Sequence, residues 1–264
     1  MKKNIPIAVA VVAVLAGLAA YFLWQPTPPK PEPVQVQAPP PPPPKPEIRQ
    51  VIEAPPAAPP LPALGDSDNL VLDAIAGLVG NKTLMQVFRT ERIIHHIVAT
   101  VDNLPRKRAP MSVMPIERAS DEFITAGKEE SLTISPKNAV RYSPYVKIAQ
   151  VADARKLVEL YVRLYPLFQQ AYEELGYPKK YFNDRLLVAI DNMLAVPNLE
   201  NPVKLVQPHV LYNFADPSLE ARSAGQKILM RMGSGNAAKI KAKLREIKQQ
   251  VMLHMHDKKV DGTK

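Results

Sequence analysis

DARKLVELYVRLYPLFQQAYEELG, residues 153–176, sets Leu157, Leu160, Tyr161, Leu164, Phe168, Ala171 and Leu175 at three- and four-residue spacing. That spacing gathers apolar side chains on one face of a helix. Asp153 is a suitable N-cap and Gly176 a suitable stop. Pro166 cannot donate to the carbonyl of Val162, so a kink is predicted there. A long amphipathic helix must bury its stripe against other elements, and the flanking sequence is mostly helical in period.

Outward from this stretch, helices are predicted over 69–80, ending at a glycine, over 83–88, and over 91–104. The last places Ile93, Ile94, Ile97, Val98, Val101 and Leu104 on one face. Another is predicted over 179–194. Asp216-Pro217 starts a helix running to about residue 232. A glycine break at 233–235 then leads into a final helix through about residue 255. Only 112–135 has strand character: FITAGKEESLTI reads as a β-hairpin turning at 127–130, with a third strand expected over 112–116. The fold class is mainly α, a helical globular domain over 66–255 with a small hairpin, followed by a disordered tail at 256–264.

The chain begins differently. IPIAVAVVAVLAGLAAYFLW, residues 5–24, is uncharged and apolar, and about twenty helical residues span the ~30 Å hydrocarbon layer. The run continues into Tyr21 and Trp24 without a small-x-small cleavage site, so an uncleaved single-pass transmembrane anchor is expected. Lys2 and Lys3 precede it and Lys30 alone follows closely. The positive-inside bias places 1–24 as a cytoplasmic stub plus inner-membrane span and sends the rest to the periplasm, with a cytoplasmic domain as the alternative. Residues 25–65 hold most of the chain's 29 prolines, including Pro39–Pro44. Such a segment buries no core and reads as a disordered, polyproline-rich linker.

The absence of cysteine excludes disulfides and thiol chemistry, and fits an oxidising compartment. Residues 233–238, GSGNAA, match a dinucleotide-binding pattern, but such a site needs a strand before it and a βαβ crossover after it, and the preceding segment reads as helical, so the match is rejected. The same residues resemble a helix-hairpin-helix turn, from which Ser234 and Lys239 depart. A tight helix–helix turn capped by Ser234 or Asn236 is the expectation. His95 and His96 diverge on a helix and read as solvated; no metal site and no cofactor is expected. Glu173, Glu174, Asp184 and Asp191 read as exposed charges, with no catalytic residue assigned.

Two surfaces remain as candidates for binding a partner. Tyr161, Tyr165 and Tyr172 share one flank of the 153–176 helix, either packing inward with wet hydroxyls or lining a groove. Residues 226–264 carry ten Lys or Arg against three acids, in a chain of net charge +9. Lys241, Arg245 and Lys248 line one flank of the final helix and Lys239 and Lys243 the other, about an apolar stripe of Ile240, Leu244, Ile247 and Val251. They either snorkel over the core or meet an anionic surface.

IVATVDNLPRKRAP, RYSPYV, LYVRLYPLFQQAYEELGYPKKYFNDRLL, NFADPSLEARSAGQKILMRMG and AAKIKAKLREI together resemble an uncharacterised proteobacterial family with an N-terminal anchor and a proline-rich spacer. The resemblance covers about 66–250 and implies no activity, ligand or catalytic position. The expected function is a non-enzymatic envelope interaction protein. It would hold the bilayer through 5–24 and dock an envelope protein or cell-wall partner. The alternatives are a peptidoglycan-acting enzyme or peptidoglycan-binding module, and a membrane-tethered DNA receptor, although nucleic acid is not the expected partner.

Overall fold

The computed structural model describes residues 49–51, 59–80, 85–119, 122–128, 131–199 and 202–258. The expected anchor, most of the linker, and residues 259–264 lie outside them, as do 83 and 84 of the helix expected at 83–88. Among the described residues, no helix is long and apolar enough to cross a membrane.

The domain is mainly helical, with short antiparallel strand pairs. After strand β1 (Arg49–Val51), helix α1 (Asp68–Val79) ends at Gly80, whose φ of 65° is the left-handed conformation glycine adopts freely. Helix α2 (Ile93–Asn103) follows. Leu64, the last apolar residue of the expected linker, is buried, and Leu61 packs beside it. Both side chains join the cluster formed by α1, α2 and the 154–174 helix.

The hairpin forms as β2 (Thr125–Ala126) and β3 (Thr133–Ile134). The expected third strand does not: Met111–Val113 is a 3-10 turn, and Ile116 bridges Phe88 instead. Beyond α3 (Asn138–Arg141), α4 (Ser143–Val151), α5 (Ala154–Glu174) and α6 (Phe182–Leu194) comes a second hairpin, β4 (Leu205–Val206) with β5 (Asn213–Phe214). Thr133 bridges Lys204, and the backbone N–H of Ile134 donates to Val203 O at 3.0 Å, so the second hairpin supplies the neighbour of β3. Pro202 and Pro208 flank β4 and hide its strand pattern, because proline cannot donate to a ladder. Buried Asn138 ties β2 in place: its side chain accepts from Ile124 N at 3.0 Å and donates to Ser135 O at 3.0 Å.

The helix expected from Asp216 is two helices. Asp216 caps α7 (Pro217–Glu220), and Ser223 then caps a fresh helix, α8 (Ala224–Arg231), by accepting from Gln226 N. A second good N-cap seven residues after the first ended the run early. Gly233, at φ 87°, turns the chain into α9 (Ser234–Leu253). Neither expected residue caps α9 by its side chain. Asn236 instead donates backward to Met232 O at 3.1 Å and across to Ala139 O at 2.9 Å, closing the end of α8. Strand β6 (His256–Lys258), in the expected tail, pairs antiparallel with β1, in the expected linker.

Asp153 caps α5, accepting from Lys156 N at 2.9 Å, and Pro166 lies inside the helix. Its buried face is broader than the stripe read from sequence. Leu164, Phe168, Ala171 and Tyr172 pack with Ile93, Ile94 and Val98 of α2, while Val158, Val162 and Tyr165 pack with Val251 of α9. A helix sandwiched between two others needs two apolar faces, so Val158 and Val162 are buried while Leu175, at the free end, is 42 % exposed. A further cluster, including Phe214, Leu229 and Met230, lies beneath the hairpins. Each fully buried large side chain contributes about 1.5–3 kcal/mol.

Candidate functional site

The basic flank of α9 is largely used inside the molecule. Lys241 Nζ donates to Val196 O at 3.2 Å and Asn198 Oδ1 at 3.4 Å, just past the C-terminus of α6, where a cation suits the helix dipole. Lys248 Nζ meets Asp191 Oδ1 at 2.5 Å, and Lys243 donates to Ala152 O at 3.0 Å. Arg245 is exposed and lines, with Lys241, Asn198 and Ser234, a cleft of about 490 Å³. Val251 is buried as read, whereas Ile240, Leu244 and Ile247 are only partly so.

The three tyrosines do not form one open flank. Tyr165 and Tyr172 are buried, in different clusters, and Tyr161 is half-buried. The Tyr161 hydroxyl donates to Asn183 Oδ1, and that of Tyr165 to Gln169 Oε1 at 3.0 Å. Burial pushes both hydroxyls above their ordinary titration range. Of the three, Tyr172 lines a cleft beside Asp102 and Arg106.

That cleft has a volume of about 440 Å³ and is walled by residues from α2, α5, α6 and the turns after α2 and α5. Two turns create it. Gly176, at φ 110°, stops α5, and Tyr177 folds back so that its ring stacks on Tyr172 at 4.7 Å between centroids. Gln169 then pins the next segment to α5, donating to Lys180 O at 2.8 Å and accepting from Phe182 N at 2.9 Å. The other turn follows α2. There the first N–H groups of α8 satisfy the chain: Ala224 N donates to Arg106 O at 2.7 Å and Gly225 N to Leu104 O at 2.9 Å. A Cβ on Gly225 would lie 3.0 Å from Met193 Cγ and 3.3 Å from Leu104 Cβ, so this approach suits glycine.

Asp102 is the centre of the cleft. It is 4 % exposed and accepts from Arg106 Nη2 at 2.6 Å, Arg185 Nε at 2.9 Å and the Tyr177 hydroxyl at 3.4 Å. Its backbone carbonyl accepts from Arg106 Nε at 3.2 Å and from Arg185 Nη2. A buried carboxylate is costly unless its lone pairs are filled, and here they are. Burial opposes the charge on Arg106, but the hydrogen bond to Tyr177 and the field of Asp102 outweigh it, raising its pKa. Arg106 Nη2 also donates to Tyr177 Oη at 2.6 Å. Lys179 and Lys180 line the cleft, with Lys180 Nζ 5.5 Å from the Tyr177 ring centre. Four cations thus face two carboxylates, Asp102 and Asp184. The cleft is electropositive.

None of these roles was assigned from sequence. The signal was there in Asp102, four residues after Val98 and so on the apolar face of its helix: a carboxylate on a buried stripe requires cationic partners.

The remaining polar expectations divide. His95 and His96 are half-buried rather than solvated. His95 Nε2 lies 3.0 Å from Glu174 Oε2, joining α2 to α5. His96 Nδ1 is buried with no partner among the described residues. Glu173 accepts from Gln169, Asp191 holds Lys248, and Asp184 lines the cleft. Among the described residues no group of three or more His, Asp or Glu could hold a metal ion.

No curated protein and no solved structure matches the chain. A family model described as a protein of unknown function, DUF3014, matches residues 93–248, which contain every side chain of the Asp102 cleft. The chain belongs to the DUF3014 family.

Proposed function

We propose that this protein is a non-enzymatic docking module of a proteobacterial cell envelope, recognising its partner at the Asp102 cleft. Residues 5–24 anchor it in the inner membrane with the N-terminus cytoplasmic. The proline-rich stretch holds the helical domain away from the bilayer in the periplasm. The apolar run, Lys2 and Lys3 ahead of it, and the prolines behind it support this layout.

The observation that carries the docking role is the pair of guanidiniums, Arg106 and Arg185, fixed by one buried carboxylate at the wall of a cleft. Side chains already held in place lose little entropy when they bind, so a partner meets a preorganised cationic surface. The experiment is crosslinking in cells from a photoreactive residue at position 107, exposed beside the cleft but not part of its lining, with and without Arg106→Gln. A discrete crosslinked partner that disappears in the variant supports the reading. Crosslinking that is indifferent to Arg106 overturns it.

A further inference from the structure

We propose that the Asp102 cleft is a receptor for a dianionic phosphate monoester, an assignment that rests on the docking reading for its biological place. The chemistry comes from the cleft itself. Asp102 already occupies the Nε and Nη2 edges of both Arg106 and Arg185, either through its carboxylate or through its backbone carbonyl. The Nη1 group of each makes no hydrogen bond among the described residues, and the Arg106 and Arg185 side chains are 48 % and 22 % exposed. Each guanidinium therefore keeps donors for a ligand while its position is fixed.

Three separate segments supply cations: Arg106 after α2, Lys179 and Lys180 in the turn after α5, and Arg185 on α6. Donors converging from three segments suit a tetrahedral oxyanion with three terminal oxygens better than a planar carboxylate, whose natural bidentate place Asp102 has taken. Charge points the same way. Two carboxylates leave two of the four cations uncompensated, and a phosphate monoester carries about −1.5 to −2 at neutral pH. A cleft of about 440 Å³ holds more than the phosphate alone; Tyr172, Tyr177 and Val188 can receive the carbon portion of the ester.

The test uses the full chain in nanodiscs of neutral phosphatidylcholine, titrated calorimetrically with inorganic phosphate and, separately, acetate. Phosphate should bind about tenfold more tightly than acetate and should weaken as falling pH protonates the dianion. Lys179→Gln/Lys180→Gln changes two exposed side chains, so its melting should match wild type while its phosphate affinity falls about tenfold. Arg106→Lys keeps the charge but loses the fork and should fall between them.

A second arm identifies the source of the phosphate. Full chain in phosphatidylcholine vesicles is mixed with vesicles containing either phosphatidic acid or phosphatidylglycerol. Capture of the phosphatidic acid vesicles alone, reversed by inorganic phosphate, identifies a lipid headgroup; phosphate binding without capture identifies a soluble ester. Equal affinity for acetate and phosphate, no binding of phosphate, or unchanged binding in a normally folded lysine double variant would each overturn the assignment. If crosslinking from position 107 still depends on Arg106 in that event, docking stands and only the phosphate assignment falls. Phosphate binding with crosslinking indifferent to Arg106 sinks docking and leaves the phosphate receptor.

Discussion

The carboxylate of Asp68, first residue of α1, accepts the backbone N–H of Ile93, first residue of α2, at 2.9 Å. Its other oxygen accepts from Arg92 N at 2.6 Å, and Arg92 has a φ of 50°, unusual for a side chain other than glycine. One carboxylate therefore fixes the entry of α2 and holds a strained residue. Asp68→Ala should cost about 1–2 kcal/mol, as lost caps do, and Asp68→Asn less. Urea unfolding of the full chain measures both; equal stability of the alanine variant and wild type would show that Arg92 holds its conformation unaided.

Asp102 and Arg106 should respond unequally to removal. Asp102→Ala strands two guanidiniums around a buried position and should cost about 3–5 kcal/mol, the usual penalty for breaking a buried pair. Arg106→Gln leaves Asp102 with Arg185, and should cost about 1 kcal/mol or less. Thermal melting of both variants side by side reads the asymmetry. Equal losses would mean that Asp102 is not the organising charge.

Acid should weaken the fold in two stages. Burial, together with Arg89, Arg92 and His95, lowers the pKa of His96 below its ordinary 6.5, against the opposing pull of Asp68. The unfolded chain then takes up this proton more readily than the folded one. Stability present above 6.5 is lost as pH falls towards the folded value. Hydrogen bonds from His95 and Gln170 lower the Glu174 carboxyl below its ordinary 4.5, so its contribution is lost at still lower pH. Urea midpoints measured across this range should fall, and His96→Gln should flatten the upper stage while leaving the lower one.

Two glycines should behave oppositely. Gly127 has a φ of 92°, and a Cβ there would lie 2.4 Å from Ser131 O, so Gly127→Ala should destabilise the hairpin by about 1–3 kcal/mol. Gly77, inside α1, has nothing within 4 Å of a Cβ. Gly77→Ala should stabilise by about 0.5–1 kcal/mol, through helix propensity and a less flexible unfolded chain. Melting temperatures that move together would contradict these local backbone assignments.

Topology is tested independently of the domain. A cysteine at Thr27 should react with a membrane-impermeant thiol reagent once the outer membrane is permeabilised. Labelling that requires lysis of the inner membrane would place the domain in the cytoplasm.

The sequence made the helices legible where capping and period agreed. Asp153 and Gly176 bracket α5, and Gly80 ends α1 as read. It was less legible where one element serves two neighbours: the stripe on α5 omitted Val158 and Val162 because a single face satisfies an amphipathic pattern. The β4–β5 hairpin does not read as strand because Pro202 and Pro208 flank β4, and proline cannot donate to a ladder. The basic flank of α9 was visible as composition. Whether Lys241 and Lys248 reach solvent or α6 depends on which helix lies alongside, and no spacing within α9 encodes that. The cleft was missed for a related reason: Asp102, Tyr177 and Arg185 lie up to 83 positions apart and meet only through packing of α2 against α6.

The turn that positions Arg106 is fastened to the first residues of α8, through Ala224 and Gly225, while the same helix places Leu229 and Met230 under the hairpins. One short helix thus connects the Arg106 turn to the cluster beneath the hairpins. A ligand that quiets the Arg106 turn should slow amide exchange in β3 and β4, which it never touches.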